Sequence, residues 1–196
     1  MRLGFRVHTG WAAMVAVGGV YPEIKIVARH RVELLVAGGP VPRFVFHAAS
    51  EGKPAKAREA VRLAREMARE RATEALRRIV AEMDSNGCRV VACGVPMGAT
   101  KIPASLDGIL ASHALIHAAE GDLFRRALMD AAEDCGLAVT KGLERDVWQA
   151  AATELGATAE DVRMTIDALG KTLGPPWGED QKVAAAAALA CAWDEA

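Results

Sequence analysis

The sequence predicts an α/β domain in which a three-stranded antiparallel meander is followed by α/β crossovers, giving a mixed sheet of about five strands with helices on both faces. Three observations carry this. The first part of the chain alternates and is rich in β-branched residues; a long Ala-, Arg- and Glu-rich stretch without Gly or Pro follows; short apolar runs then alternate with helical periods to the end. With 196 residues, 52% hydrophobic and 25% charged, the chain reads as one domain over 1–196 with a sizeable core.

The elements follow in order. "RLGFRVHTG", "WAAMVAVGG" and "EIKIVARHRVELLVAG" are three strands separated by Gly-Gly and Tyr-Pro turn signals. After "ASEGKP" the period becomes helical, and Pro54 to about Asp84 forms one helix stopped at Asn86-Gly87. "CRVVACGV" is a continuous apolar run, as expected of a central strand buried on both faces, and the loop "PMGATKIP" follows it. Ser105 is placed to N-cap a helix running to about Asp134, and Gly136 ends it. "LAVTKGL" is the fifth strand. Helices follow from about Glu144 and about Thr158, and "GKTLGPPWGED" separates them from a last helix whose alanines imply close packing.

The formal net charge of -1 gives no global attraction to nucleic acid, so a phosphate-binding surface has to be local. Cys88, Cys93, Cys135 and Cys191 lack C-x-x-C spacing and sit in apolar surroundings, which suits reduced thiols in the cytoplasm. The N-terminus lacks a signal-peptide layout, and "VAAAAALACAW" is too short to span a bilayer, so no membrane partner is expected. The apolar last helix allows a homodimer.

The order of elements is that of the ribonuclease-H-like fold, and the local phrases resemble its bacterial Holliday-junction resolvase (RuvC-type) branch. "GFRVHTGWAA" is similar to that branch's first hairpin at Thr9, Gly10 and Trp11, "VVACGV" resembles the strand bearing its second acid, and "EDQKVAAAAALA" resembles its final acidic helix. The resemblance implies a nuclease in which carboxylates hold two divalent cations. Carried over by position, the first-strand acid falls on Arg6, with His8 two residues on. The fourth-strand acid falls on Cys93, and the final-helix pair falls on Glu179 and Lys182, with Asp180 as a neighbour. No Asp or Glu occurs in "MRLGFRVHTGWAAM" or "CRVVACGVPMGATKIP", so a slip of register does not restore the cluster. The expectation is a degenerate nuclease fold that binds nucleic acid or protein, with no cofactor and no nuclease activity.

A second constellation lies in "ILASHALIHAAEGDLF". At helical spacing His113, His117, Glu120 and Phe124 share a narrow sector with Leu106, the expected buried side. One reading makes His113 and His117 largely buried, hydrogen-bonded core residues. The alternative is an enzyme, a metal-dependent hydrolase or nuclease with a rearranged centre: His113, His117 and Glu120 hold Zn²⁺ or Mg²⁺, with His8 added from the first strand.

Arg58, Arg62, Arg65 and Arg69 form a stripe on the long helix, flanked by Glu59, Glu66 and Glu70, and read as a solvated ion-paired face rather than a phosphate track. Lys101 and Trp177 belong to segments expected at the C-terminal edge of the sheet, where ligands commonly bind. Together with Arg6 they are the candidates for contacting nucleic acid. Trp177 is either a stacking platform for a base or a rigid plug on the core. Cys93 reads as an inert buried thiol.

Overall fold

The computed structural model describes residues 1–36 and 38–192. Its sheet comprises β1 (Arg2–His8), β2 (Trp11–Gly18), β3 (Lys25–Glu33), β4 (Ala92–Met97) and β5 (Ala138–Leu143), in the order β3-β2-β1-β4-β5. β1, β2 and β3 pair antiparallel; β4 runs parallel to both β1 and β5. The mixed five-stranded sheet of the sequence reading is therefore the observed one. One detail differs, because β1 and not β4 is the middle strand: the long crossover returns β4 to the open edge of β1, and the second crossover adds β5 outside it.

Helices cover both faces. On one lie α1 (Val45–Glu51), α2 (Pro54–Ser85), α3 (Leu106–Leu110) and α4 (His113–Asp134). Leu3, Phe5, Val7, Met14, Cys93 and Val95 of the sheet pack there against α2 and α4. On the other lie α5 (Val147–Leu155), α6 (Ala159–Leu173) and α7 (Glu179–Leu189), against Val15 and Val17. Alternation of side chains along each strand separates the two cores.

Helix signals were legible where a cap or stop stands alone. Pro54 occupies the first turn of α2, where its missing N–H costs nothing. Thr158 caps α6 reciprocally with Asp161. Ser105 does cap a helix, its hydroxyl accepting from Gly108 N–H at 3.1 Å, but that helix ends at Leu110. Ser112, in extended conformation, begins a second one, so the single helix expected from Ser105 to Asp134 is two. The periodicity continues across the break, which hides it from sequence.

α7 packs on β1, β2 and β4. Ala184 to Leu189 are all 2% exposed or less, so the apolar surface that allowed a homodimer is consumed inside the chain. Among the described residues no helix is long and apolar enough to cross a membrane.

Candidate functional site

The C-terminal ends of β1 and β5 and the first turn of α7 bring Arg6, His8, Glu144 and Asp180 together. The Arg6 guanidinium lies 3.3 Å from Asp180 and 3.6 Å from Glu144, placed between two carboxylates. His8, on the same face of β1, is 2.8 Å from Asp180 and stacks on Trp11 at a centroid distance of 4.3 Å. Arg31 sits over the Trp11 ring at 3.6 Å and pairs with Glu33. Arg125 of α4 reaches Glu144 at 3.6 Å and donates to the Pro96 carbonyl at 3.0 Å. Both carboxylates thus face guanidinium groups, which compensate their charge.

Three positions carried over from the resemblance need correction. Cys93 pairs with Leu3 and belongs to the core under α2 and α4, so it lies on the opposite face of the sheet from Arg6. On Arg6's face β4 presents Gly94, the partner of Gly4. Burial holds the Cys93 thiol far above the usual thiol range, consistent with an inert core residue. In α7, Asp180 reaches Arg6 and His8, whereas Glu179 is exposed; Lys182 turns to Asp167 at 2.6 Å. Glu144 and Arg125 were not singled out in the sequence, because each lies far along the chain from β1 and follows no phrase of its own.

The histidines behave differently from the buried pair expected. His113 and His117 are exposed, their rings in edge contact at 4.4 Å between centroids. Further along that sector Glu120 and Phe124 are buried, at 2% and 0% exposure. α4 starts at His113 and its first turn projects past the core, so helical phase predicts a side but not a depth. The third ring is His47 of α1, 5.3 Å from His113 and 4.6 Å from His117. One ring nitrogen from each histidine lies within 4.8 Å of one from each other. His47 was missed because α1 is a seven-residue helix in a Pro- and Gly-bounded segment; Val45, Phe46 and Ala49, buried at one-turn spacing, were its signal.

Glu120 explains how α1 is held. Phe44 provides no side-chain cap, and Glu120 Oε1 instead accepts from the N–H groups of Phe46 at 2.8 Å and His47 at 3.1 Å. It is also 3.2 Å from His47 Nδ1. Oε2 is buried without a hydrogen-bond partner. Burial raises the Glu120 carboxyl above the usual carboxylate range, against the opposing pull of His47 and the two amides. Its carboxylate is thus an anchor for α1 and His47, not a third ligand beside His113 and His117.

A groove of about 510 Å³ joins the two clusters, with His8 and Thr9 on one side, Thr100 on the β4–α3 loop, and His117, Asp122 and Arg125 on α4. Lys101 is exposed in that loop. Trp177 is the plug rather than an open platform: its indole N–H donates to the Ile166 carbonyl at 3.1 Å and its ring lies where a side chain on Gly170 would project. The arginine stripe of α2 is largely ion-paired, Arg62 to Glu59 and Glu66, Arg58 to Asp107, and Arg69 to Asp134.

No protein-family model matches the chain, and no curated protein does. Solved structures do. A Thermus thermophilus RuvC structure superposes with a TM-score of 0.50 at 16% identity, covering 96% of this chain and 90% of its own. T. thermophilus RuvC in complex with a Holliday junction substrate superposes with a TM-score of 0.55 at 15% identity, with the same coverage. The fold is RuvC-like and ribonuclease-H-like. At that identity the likeness establishes architecture, while the ionic cluster at Arg6 and the histidines at the α1–α4 junction are features of this chain's own residues.

Proposed function

We propose that this RuvC-like chain binds nucleic acid along the groove between β1, the β4–α3 loop and α4, and does so without two-metal hydrolysis. The observation that carries the second half is the Arg6 guanidinium between Glu144 and Asp180. Hydrolysis by paired divalent cations needs several hard oxygen donors facing a common point. Here a fixed positive charge stands between the two carboxylates, and the β4 positions on that face, Gly94 and the next one along, Pro96, carry no side-chain oxygen. The donor set does not fit the metal pair, and no step is derived through it.

Support for binding comes from the T. thermophilus protein of the same fold, which is described with a Holliday junction, and from the groove's own lining. Hydroxyls of Thr9 and Thr100, the His8 ring and Arg125 face it, and Lys101, next to Thr100 in the loop, is exposed. These are groups that contact phosphate and sugar without reading base sequence. A local surface of this kind reconciles binding with the near-neutral charge of the chain.

The test is fluorescence anisotropy with labelled duplex, single-stranded and four-way-junction DNA at several salt concentrations. Affinity is expected to fall linearly on a log–log plot of binding constant against salt, and Lys101→Glu is expected to weaken it and lower the slope by about 1 or more. Incubation with Mg²⁺ or Mn²⁺ is expected to give no cleavage above background. Absence of binding at low salt would reject the nucleic-acid reading in favour of a protein partner. Robust cleavage abolished by Asp180→Ala or His8→Ala would reject the noncatalytic one.

A further inference from the structure

We propose that His47, His113 and His117 form a binding site for a single Zn²⁺ ion, with its fourth coordination position open to water at the groove. The site stands apart from the ionic cluster at Arg6 and does not depend on nucleic-acid binding.

The geometry comes from two helices. His113 and His117 are one turn apart on α4, and α1 carries His47 over them, so that one nitrogen of each ring falls within 4.8 Å of the others. A tetrahedral zinc centre with bonds of about 2.0–2.1 Å needs nitrogens roughly 3.4 Å apart. Small rotations of the exposed His113 and His117 rings close that difference. Among the described residues neither ring has a hydrogen-bond or ion-pair partner, so no existing polar bond must be broken to turn them.

Glu120 is the second, independent observation. Its carboxylate is 98% buried, one oxygen unpartnered and the other against His47 Nδ1. A hydrogen bond from Nδ1–H to the carboxylate fixes the tautomer of His47 and leaves Nε2 as the metal-facing atom, the arrangement by which a carboxylate orients and enriches a histidine ligand. A buried carboxylate with one oxygen unpartnered is costly in the apo chain, although its other oxygen is well bonded. A dication bound through the adjoining imidazole supplies the missing positive charge. Three neutral imidazoles select zinc and its transition-metal neighbours over Mg²⁺, which requires hard oxygen ligands. Because His117 also lines the groove, the open position faces the place where a water or a phosphate oxygen would lie.

The experiment uses the untagged full chain stripped with chelator and then titrated with Zn²⁺ in competition with a chromophoric indicator. One ion per chain is expected, with affinity reduced at least tenfold in His113→Ala, His117→Ala and His47→Ala, and about tenfold in Glu120→Gln, as for loss of an orienting carboxylate. His30→Ala on β3 is expected to match wild type. Since His47 and Glu120 support α1, the two exposed residues decide the matter, with circular dichroism checking their folding. Co²⁺ in place of zinc is expected to give the visible absorption of a four-coordinate nitrogen and oxygen site without a thiolate charge-transfer band. No binding at micromolar free zinc, stoichiometric binding that survives His117→Ala, or a thiolate band from Cys88 or Cys135 would each overturn the proposal.

Discussion

Gly4 and Gly94 are register partners on parallel strands, and the backbone of α7 rests on both. A β-carbon on Gly4 would lie 1.9 Å from the Ala184 carbonyl oxygen, and one on Gly94 would lie 2.1 Å from that of Ala187. The alanine run is the other half of this contact: with methyl groups only, the helix settles on the strands. Its N-terminus then delivers Asp180 to Arg6 and His8.

Gly94→Ala should therefore be severely destabilising, because the obstacle is backbone and cannot swing aside. About 3 kcal/mol or more is expected, at or above the upper end for overpacking. Gly98→Ala, at an exposed position with Arg125 3.8 Å away, should change stability by no more than about 0.5 kcal/mol. Urea unfolding of the two variants checks the contrast. Equal stabilities would mean that α7 does not sit this close to the sheet.

The same contact decides what could be restored at Arg6. A carboxylate cannot be built on β4 at Gly94 without lifting α7, one at Cys93 would point into the opposite core, and Pro96, the β4 position level with Arg6, is buried. Arg6→Asp is the accessible change: it removes the guanidinium and sets a third carboxylate between Glu144 and Asp180. In the wild type Mg²⁺ or Mn²⁺ is expected to leave the melting temperature unchanged; in the variant, like-charge repulsion should lower it, and millimolar cation should raise it again by mass action. Thermal melts with and without cation read this directly. Stabilisation of the wild type by millimolar Mg²⁺ would show that Arg6 does not exclude the ion.

How much of this was legible in the sequence follows from the range of each signal. The meander, the crossovers and the capped helices were readable because periodicity, Gly and Pro act over a few residues. Arg6 and His8 stand in one strand phrase, yet their partners Glu144 and Asp180 come from two other elements, and only the sheet register and the depth of α7 bring them together. Cys93 pairs with Leu3 and so points to the opposite face of the sheet from Arg6, a parity that an apolar run without alternation does not record. For the histidines the spacing on α4 was right and the depth wrong, since a helix that starts beyond the core keeps its phase while leaving the interior. His47 arrives from a helix capped by a side chain 74 residues away, through a bond that no local pattern records.

The cysteines give a prediction about pH. Burial pushes the Cys191 thiol up to about 11, against the lowering influence of Thr140 and Arg2, and its Sγ–H points to the Ala187 carbonyl at 3.5 Å. In the unfolded chain a thiol ionises near pH 8.5. Between these values the folded state holds a proton that the unfolded state has released, so folding is favoured less as pH rises. The stabilising contribution is fully present below about pH 8.5 and is lost as pH climbs towards about 11. Cys191→Ala removes this one titration, so the stability of wild type relative to the variant should decline from pH 8 to pH 10.5, measured by urea unfolding at each pH. At pH 8 iodoacetamide should label Cys88, which is half-buried, well before Cys93 and Cys191, which react only once the chain unfolds. Rapid native labelling of Cys191, or a pH-independent difference between wild type and variant, would show that the C-terminal end of α7 is open to solvent rather than sealed against the sheet.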